Sequence, residues 1–245
     1  MPHHGPQEAV VQDLLSLERA EAYCRWLASF ILPYRGQWVV ELGSGTGNLA
    51  RYVLEGCGRA WLLERDPRLC AALRSRFGGR QVEVVQVDLD RGMPEELMRT
   101  LRAQRVDTIF SSNVLEHLRD DLAVLRQAFD ILVPGGRSLH IVPAQRWLFN
   151  RLDRSYGHVR RYTKRRVEAA ARDHGWAVER MQYFNLSGAL AWMLSKRAGT
   201  VFQPRKVAFF ERYCLPVEQM LARRWRHMPV GLSLFFCLRK VSPKG

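Results

Sequence analysis

Short apolar runs alternate with helix-spaced segments along most of this chain, in a constant order. "WVVEL" (38–42) has strand length and ends in a glycine-rich turn, after which "NLARYVLEGC" (48–57) has helical spacing. "AWLLE" (60–64) is a second strand and "RLCAALRSRF" (68–77) its helix, followed by "VEVVQVD" (82–88) and "RVDTIFSS" (105–112) as strands three and four. "DDLAVLRQAFDILV" (120–133) is a helix leading into strand five, "RSLHIVPA" (137–144). Apolar runs that alternate with helices in this way belong to a parallel sheet covered on both faces. The pattern predicts a doubly wound α/β fold with a mostly parallel sheet.

Residues 8–31 precede the sheet with helical apolar spacing, at Val11, Leu14, Leu15, Leu17, Tyr23, Trp26, Leu27 and Phe30. After it, "VEAAARDHGW" (167–176) reads as a helix, "AVERMQYFN" (177–185) as strand six and "LSLFFCLRK" (232–240) as strand seven. Two segments, 145–165 and 186–231, break the alternation. Each follows a strand on the side of the sheet that carries the glycine-rich turn, where open α/β sheets bind ligands. The expected organisation is one domain over 1–245: a helical segment 1–37, a core 38–144, and a cap built from the two insertions.

Composition narrows this picture. With 47% hydrophobic residues, 245 residues can bury one large core. A net charge of +14 favours anionic partners, whether nucleic acid, phosphorylated or carboxylated small molecules, or an anionic membrane surface, unless it reflects arginine bias on solvated helix faces. The five cysteines are scattered without a CxxC pair, which argues for a reducing compartment and against a disulfide framework or a zinc site. The N-terminus has no apolar signal core and no segment approaches a membrane span, so a cytoplasmic location is expected, with surface attachment to a membrane left open.

The chemistry concentrates at "VVELGSGTGNLA" (39–50). A dinucleotide fingerprint needs glycine at the position held by Asn48, and no phosphate-binding GK[ST] follows. Glu41 precedes the glycines, a poor neighbour for pyrophosphate and a good one for a cation. Glu64 ends strand two, where a carboxylate can accept from both ribose hydroxyls. Asp88 ends strand three, where it can accept from an exocyclic amine, and Asn113 lies just past strand four. Such a site suits an adenosine with a cationic tail and no phosphates.

In this order and spacing, "VVELGSGTGNLA", "LLERDP", "QVDLD", "SSNVLEHLRDD" and "LVPGGRSLHIVPA" resemble the motifs of class I S-adenosylmethionine-dependent methyltransferases. Within them the chain is similar to the small-molecule branch related to ubiquinone and menaquinone biosynthesis methyltransferases. The resemblance implies a seven-stranded Rossmann-like sheet, S-adenosyl-L-methionine as cofactor, S-adenosyl-L-homocysteine as product, and no metal. It places Glu41 near the methionine amino group and passes Gly43, Ser44, Gly45 and Gly47 under the cofactor. Glu64 would hold the ribose with Arg65 beside it, Asp88 and the Leu89 backbone would face adenine, and Asn113 would line the sulfonium end.

Transfer to a hydroxyl also requires a base, and histidine is the usual one near neutral pH. His117 in "LEHL" and His158 in "RSYGHVRRYT" (154–163) are the candidates, with a capping or packing role as the alternative for His117; His140 in mid-strand reads as a core histidine. Relatives of this branch often carry a "GHxRRYT"-like stretch in the cap over the acceptor pocket. On that basis Tyr156, His158, Arg160, Arg161 and Tyr162 are candidate acceptor contacts, and Trp192 joins them from the aromatic stretch after strand six. Arg160 and Arg161 would either grip an anionic acceptor or tie the cap to core acids, with Thr163 capping the next helix. The apolar and aromatic stretch 185–213 is a lid for a hydrophobic acceptor, the packing of an accessory helix, or a membrane-surface face.

The expected function is S-adenosylmethionine-dependent methyl transfer to a hydroxyl or amine of a hydrophobic or anionic small molecule. A nucleic-acid methyltransferase is the alternative, on the strength of the charge and of "RSYGHVRRYTKRR" and "ARRWRH". Against it, strand four lacks the Asn/Asp-Pro-Pro-aromatic loop of amino-directed base methylation, no Pro-Cys nucleophile is present, and no RNA-binding module is recognisable. A non-catalytic protein that kept the fold would not need Glu41, Glu64 and Asp88 together.

Overall fold

The computed structural model describes residues 20–79, 81–194, 204–225 and 228–241. Its centre is a seven-stranded sheet: β1 (Trp38–Leu42), β2 (Arg59–Glu64), β3 (Val82–Gln86), β4 (Thr108–Ser112), β5 (Arg137–Pro143), β6 (Trp176–Phe184) and β7 (Ser233–Lys240). The order is β3-β2-β1-β4-β5-β7-β6, and only β7 runs antiparallel to its neighbours. All seven strands thus appear where the apolar runs lie. That β7 inserts between β5 and β6 is a tertiary fact that alternation along the chain does not encode.

Side chains alternate across the sheet and feed two cores. Val40, Leu42, Trp61 and Leu63 face one layer, packed against α4 (Glu95–Ala103), α5 (Asp121–Ile131) and α7 (Lys164–Asp173). Val39, Ala60 and Leu62 face the other, against α1 (Glu21–Ile31), α2 (Ala50–Val53) and α3 (Pro67–Phe77). The sheet is therefore covered on both faces, as its near-continuous apolar strands require. Helix α4 is not among the expected elements; its charged surface hides the two positions, Met98 and Leu101, that bury it. Conversely, the helix expected over 48–57 forms only at α2 and continues as turns. Of the N-terminal helical segment, residues 1–19 lie outside the described residues, and α1 supplies Trp26, Leu27 and Ile31 to the core.

The stretch 145–165 forms one short helix, α6 (Arg151–Ser155), and 186–231 contributes α8 (Leu186–Leu194), α9 (Pro204–Phe209), a π turn (Phe210–Cys214) and α10 (Leu215–Arg224). Leu148, Ala189 and Trp192 from the two stretches bury one another in a small core of their own, with Leu152, Tyr156 and Leu232 packed on it. Glu218 of α10 joins the pieces by accepting from the amides of Leu186 and Ser187 at the start of α8, 3.0 and 2.5 Å away. No helix among the described residues is long and apolar enough to cross a membrane.

Candidate active site

The turn after β1 is fixed by glycine geometry. Gly43, Gly45 and Gly47 all have positive φ, at 64°, 55° and 78°, the left-handed region that side chains avoid. A Cβ on Gly47 would stand 2.7 Å from Phe77 and 2.9 Å from Leu73, so this glycine also lets the turn close onto α3. The turn is pinned from β2: the Ser44 amide donates to the Leu63 carbonyl at 3.0 Å, and the Gly45 amide to Glu64 Oε2 at 2.8 Å. Beneath it, Glu41 is buried and its Oε2 has no hydrogen-bond partner, nor do the buried hydroxyls of Ser44 and Thr46. Burial, with the nearby charge of Glu64, pushes the Glu41 carboxyl up to about 8.

The other strand-end residues differ in how far the fold already occupies them. Glu64 accepts from three backbone amides, those of Gly45, Arg65 and Asp66, at 2.8, 2.8 and 2.9 Å. A carboxylate offers about four acceptor positions, so one remains rather than the two that both ribose hydroxyls would take. Asp88 caps the short turn Leu89–Arg91, accepting from the Asp90 amide at 3.2 Å with Arg91 3.6 Å away, and stays partly exposed. Leu89 is buried in the core, while Arg65 and Asn113 are exposed. Asn113 adopts φ 54°, its amide donating to the Ile141 carbonyl at 2.9 Å, so the chain turns sharply as it leaves β4.

That turn carries Glu116 and His117 to the cap. The Val159 amide donates to the Glu116 carbonyl at 2.9 Å, and the His117 and His158 rings meet edge-to-face, 4.8 Å between centroids. His158 Nδ1 lies 2.9 Å from Asp153 Oδ1 and its Nε2 lies 3.9 Å from Glu116 Oε1. Asp153 is fully buried. Its Oδ2 closes a capping box at the start of α6 by accepting from the Asn150 amide at 2.9 Å, while its Oδ1 also accepts from Arg161 Nε at 2.9 Å. One carboxylate therefore ties a helix start, a histidine and an arginine together.

Charge at this cluster is set by burial first. Glu116, with both oxygens buried and without a hydrogen bond, is pushed up to about 7 by burial although the His158 and Arg161 charges pull the other way. His117 is pushed down to about 4 by burial and by the charges of His158 and Arg65, so it is neutral at physiological pH. For Asp153, burial is outweighed by the bonds from His158 and Arg161, which hold it below the ordinary carboxylate range. Glu116, His117 and His158 each bring a ligand-type atom within 4.8 Å of the others, a set that could hold a divalent cation. The Glu116 carboxylate is nevertheless already faced by the Arg161 guanidinium, which supplies positive charge without an ion.

Of the two roles open to Arg160 and Arg161 in the sequence, the structure shows the tie to core acids. Arg160 pairs with buried Asp121 at the start of α5 and donates to the Arg119 carbonyl at 2.8 Å. Arg161, itself buried, spends its guanidinium on Asp153 and the Ala144 carbonyl and lies over the Trp192 ring, 4.9 Å from its centroid. Tyr162 donates to Asp121 Oδ2 at 2.6 Å, and Trp192 is a member of the cap core. These four expected acceptor contacts are fastenings of the cap, whereas Tyr156 stays half-buried with its ring 6.0 Å from that of His158. Thr163 caps α7 as expected, and His140 is fully buried between the Ser111 and Ser138 hydroxyls, 2.7 Å on each side. Glu116 and Asp153 escaped the sequence reading. The available signals were a carboxylate adjoining His117 and an Asn-x-x-Asp capping box five residues before His158.

The methyltransferase-domain family matches residues 16–181, well over half of the chain. The chain belongs to this family. It is an S-adenosylmethionine-dependent methyltransferase with the Rossmann-like fold. A methyltransferase candidate solved with the Haloferax volcanii Trm112 methyltransferase activator aligns over 97% of this chain and 96% of its own, at 18% identity and TM-score 0.66. An S-adenosylmethionine-dependent methyltransferase from Mesorhizobium loti aligns over 89% and 98%, at 18% identity and TM-score 0.61. At these identities the likeness is one of fold. Among curated proteins, the rRNA adenine N-6-methyltransferase of Streptomyces fradiae is 43% identical over 53 residues, 22% of this chain and 17% of that relative.

The residues of this methyltransferase fit the cofactor its family uses. Oε2 of Glu41 is a buried acceptor with no partner in the protein, as an incoming ammonium requires. The turn above it is built from glycines in conformations that let a ligand approach the backbone.

Proposed function

We propose that this methyltransferase acts on a hydroxyl of a small molecule, with His158 as the base. The observation that carries the reading is the Asp153–His158 pair, set beside His117 at the carboxyl edge of the sheet. Ionised Asp153 accepts from Nδ1–H, which leaves the lone pair on Nε2. Glu41 would take the cofactor's ammonium, the Gly43–Gly47 backbone would lie beneath it, and Glu64 would use its remaining acceptor position on the ribose. Asp88 and Leu89 would meet adenine, with Arg65 and Asn113 at the rim. When bound, S-adenosylmethionine supplies a methyl group on a sulfonium, an already activated leaving group. The protein's task is alignment and proton removal. His158 Nε2 would take the acceptor O–H proton as that oxygen accepts the methyl group. Glu116, 3.9 Å from that nitrogen, stabilises the resulting imidazolium when ionised.

A second reading, an RNA acceptor, is favoured by the short match to the rRNA methyltransferase and by the +14 charge. Incubating the full chain with methyl-labelled cofactor and cell extract, then separating RNA from extractable metabolites, distinguishes the two. Label in the metabolite fraction that disappears with His158→Ala is the expected result. Label confined to RNA would overturn the small-molecule reading.

A further inference from the structure

The outer face of the cap has a chemistry that the active site does not use. Residues 204–224 run as one helical stretch through α9, the π turn and α10. Its inner side is anchored: Phe210, Leu215 and Ala222 pack into the core, Glu211 accepts from the Tyr23 amide at 2.9 Å, and Glu218 caps α8. These two are the only acidic residues of the stretch, and both are engaged with backbone amides of other elements. The outer side carries large apolar side chains and cations and no acidic residue.

Phe209, Tyr213, Val217 and Met220 are each half or more exposed, and their spacing of four, four and three places them on one stripe. Trp225 is exposed just past the helix end, and Arg205, Lys206, Arg212, Arg223 and Arg224 stand exposed along the stretch. The Arg212 guanidinium lies 5.7 Å from the Tyr213 ring centroid, the posture of a cation that covers apolar surface while keeping its charge in water. Helix α8, held to α10 through Glu218, adds Leu190, Met193 and Leu194 as exposed apolar residues.

We propose that this face docks on an anionic membrane surface, with the 204–224 helix lying in the plane of the headgroups. An apolar stripe bordered by Lys and Arg, with Tyr on it and Trp at the helix end, has the make-up of an interfacial helix. Duplex or single-stranded RNA would engage the cations and stack on aromatics, but offers nothing to aliphatic Val217, Met220, Leu190 and Leu194. The proposal does not depend on which acceptor is methylated.

Vesicle flotation of the full chain tests it, comparing phosphatidylcholine alone with mixtures containing phosphatidylglycerol. Binding should be tenfold or more tighter, roughly, to the anionic vesicles and weaken with salt. A variant carrying Phe209→Ser, Val217→Ser and Met220→Ser, all surface positions, should lose at least about tenfold in binding with its thermal transition unchanged. An Arg212→Gln, Arg223→Gln, Arg224→Gln variant should lose the preference for anionic lipid. Absence of flotation would overturn the proposal, and so would wild-type binding by the serine variant, because adsorption would then be purely electrostatic. Salt-steep duplex RNA binding that the serine variant loses, without flotation, would assign the face to nucleic acid instead.

Discussion

Glu41 is the residue on which cofactor recognition can be tested through protons. Its carboxyl ordinarily loses a proton near 4.5 and here does so at about 8. The neutral form is thus favoured by the fold, and the stability it contributes is full below pH 4.5 and lost as pH rises to about 8. Cofactor-free Glu41→Gln should therefore be more stable than the wild type at pH 8 to 9, by roughly 1.4 kcal/mol for each pH unit crossed, as denaturant unfolding would read. In the role proposed for Glu41, cofactor binding has the opposite sign, since an ammonium needs the ionised carboxylate. Calorimetric affinity should rise from pH 6 toward 8 by up to about tenfold per unit and then level as the cofactor's own amine deprotonates, with Glu41→Gln flat across the range. Asp153 and His158 call for a different readout. His158→Ala should cost about a hundredfold or more in turnover with cofactor affinity intact, because it removes a base and no cofactor contact. Asp153→Asn should cost less in turnover but more in stability, because it also releases Arg161 and the Asn150 amide. Equal turnover of His158→Ala and wild type would remove the base from the mechanism. The place of Glu41 beneath the glycine turn was legible because it directly precedes the glycines in sequence. Asp153 was not, because its importance comes from partners five and eight residues away that only the folded cap brings onto one oxygen.

At the scale of elements, the cap is fastened by charge as much as by apolar packing. Asp121, nearly fully buried at the start of α5, takes Arg160, Arg166 and the Tyr162 hydroxyl, and so binds the "RRYTKRR" stretch to the core. Asp121→Asn should destabilise the protein by about 2–4 kcal/mol, short of a fully buried pair because Arg166 is two-fifths exposed and screened by water. Differential scanning calorimetry would measure this, and a change below about 0.5 kcal/mol would show that the fastening is superficial. Helix starts show what sequence can carry across this scale. Thr163, Asp66 and Asp120 each cap a helix by a rule that operates within three residues. The destination of Arg160 depends on a carboxylate 39 residues away, which no local pattern specifies. The tie and the clamp were both open readings of the sequence, and burial of Asp121 and Asp153 decides between them.

For the whole molecule, the alternation of apolar runs was enough to recover the sheet, because each buried strand must read as continuous apolar residues. It could not recover strand order, which depends on β7 returning between β5 and β6, nor α4, whose buried stripe is only two residues wide. With the cofactor placed as proposed, the same architecture would make its binding a property of the entire fold. Glu41 lies on β1, Glu64 on β2 and Asp88 just past β3, and the turn between β1 and α2 is held by amide bonds to β2. A ligand that contacts all three strand ends binds only when the sheet is assembled, so its binding energy adds to folding stability. At a cofactor concentration one hundred times the dissociation constant the gain is about 2.7 kcal/mol, which for a chain of this length raises the unfolding midpoint by roughly 5–10 °C. Asp88→Ala should abolish that rise while lowering the cofactor-free midpoint only by the loss of a turn cap, about 1 kcal/mol, because Asp88 is partly exposed and its structural bonds are confined to the turn it caps. Thermal melts with and without S-adenosylmethionine separate the two effects. A full cofactor-induced shift in Asp88→Ala would move adenine away from the end of β3 and return the placement of the cofactor to Glu41 and the glycine turn.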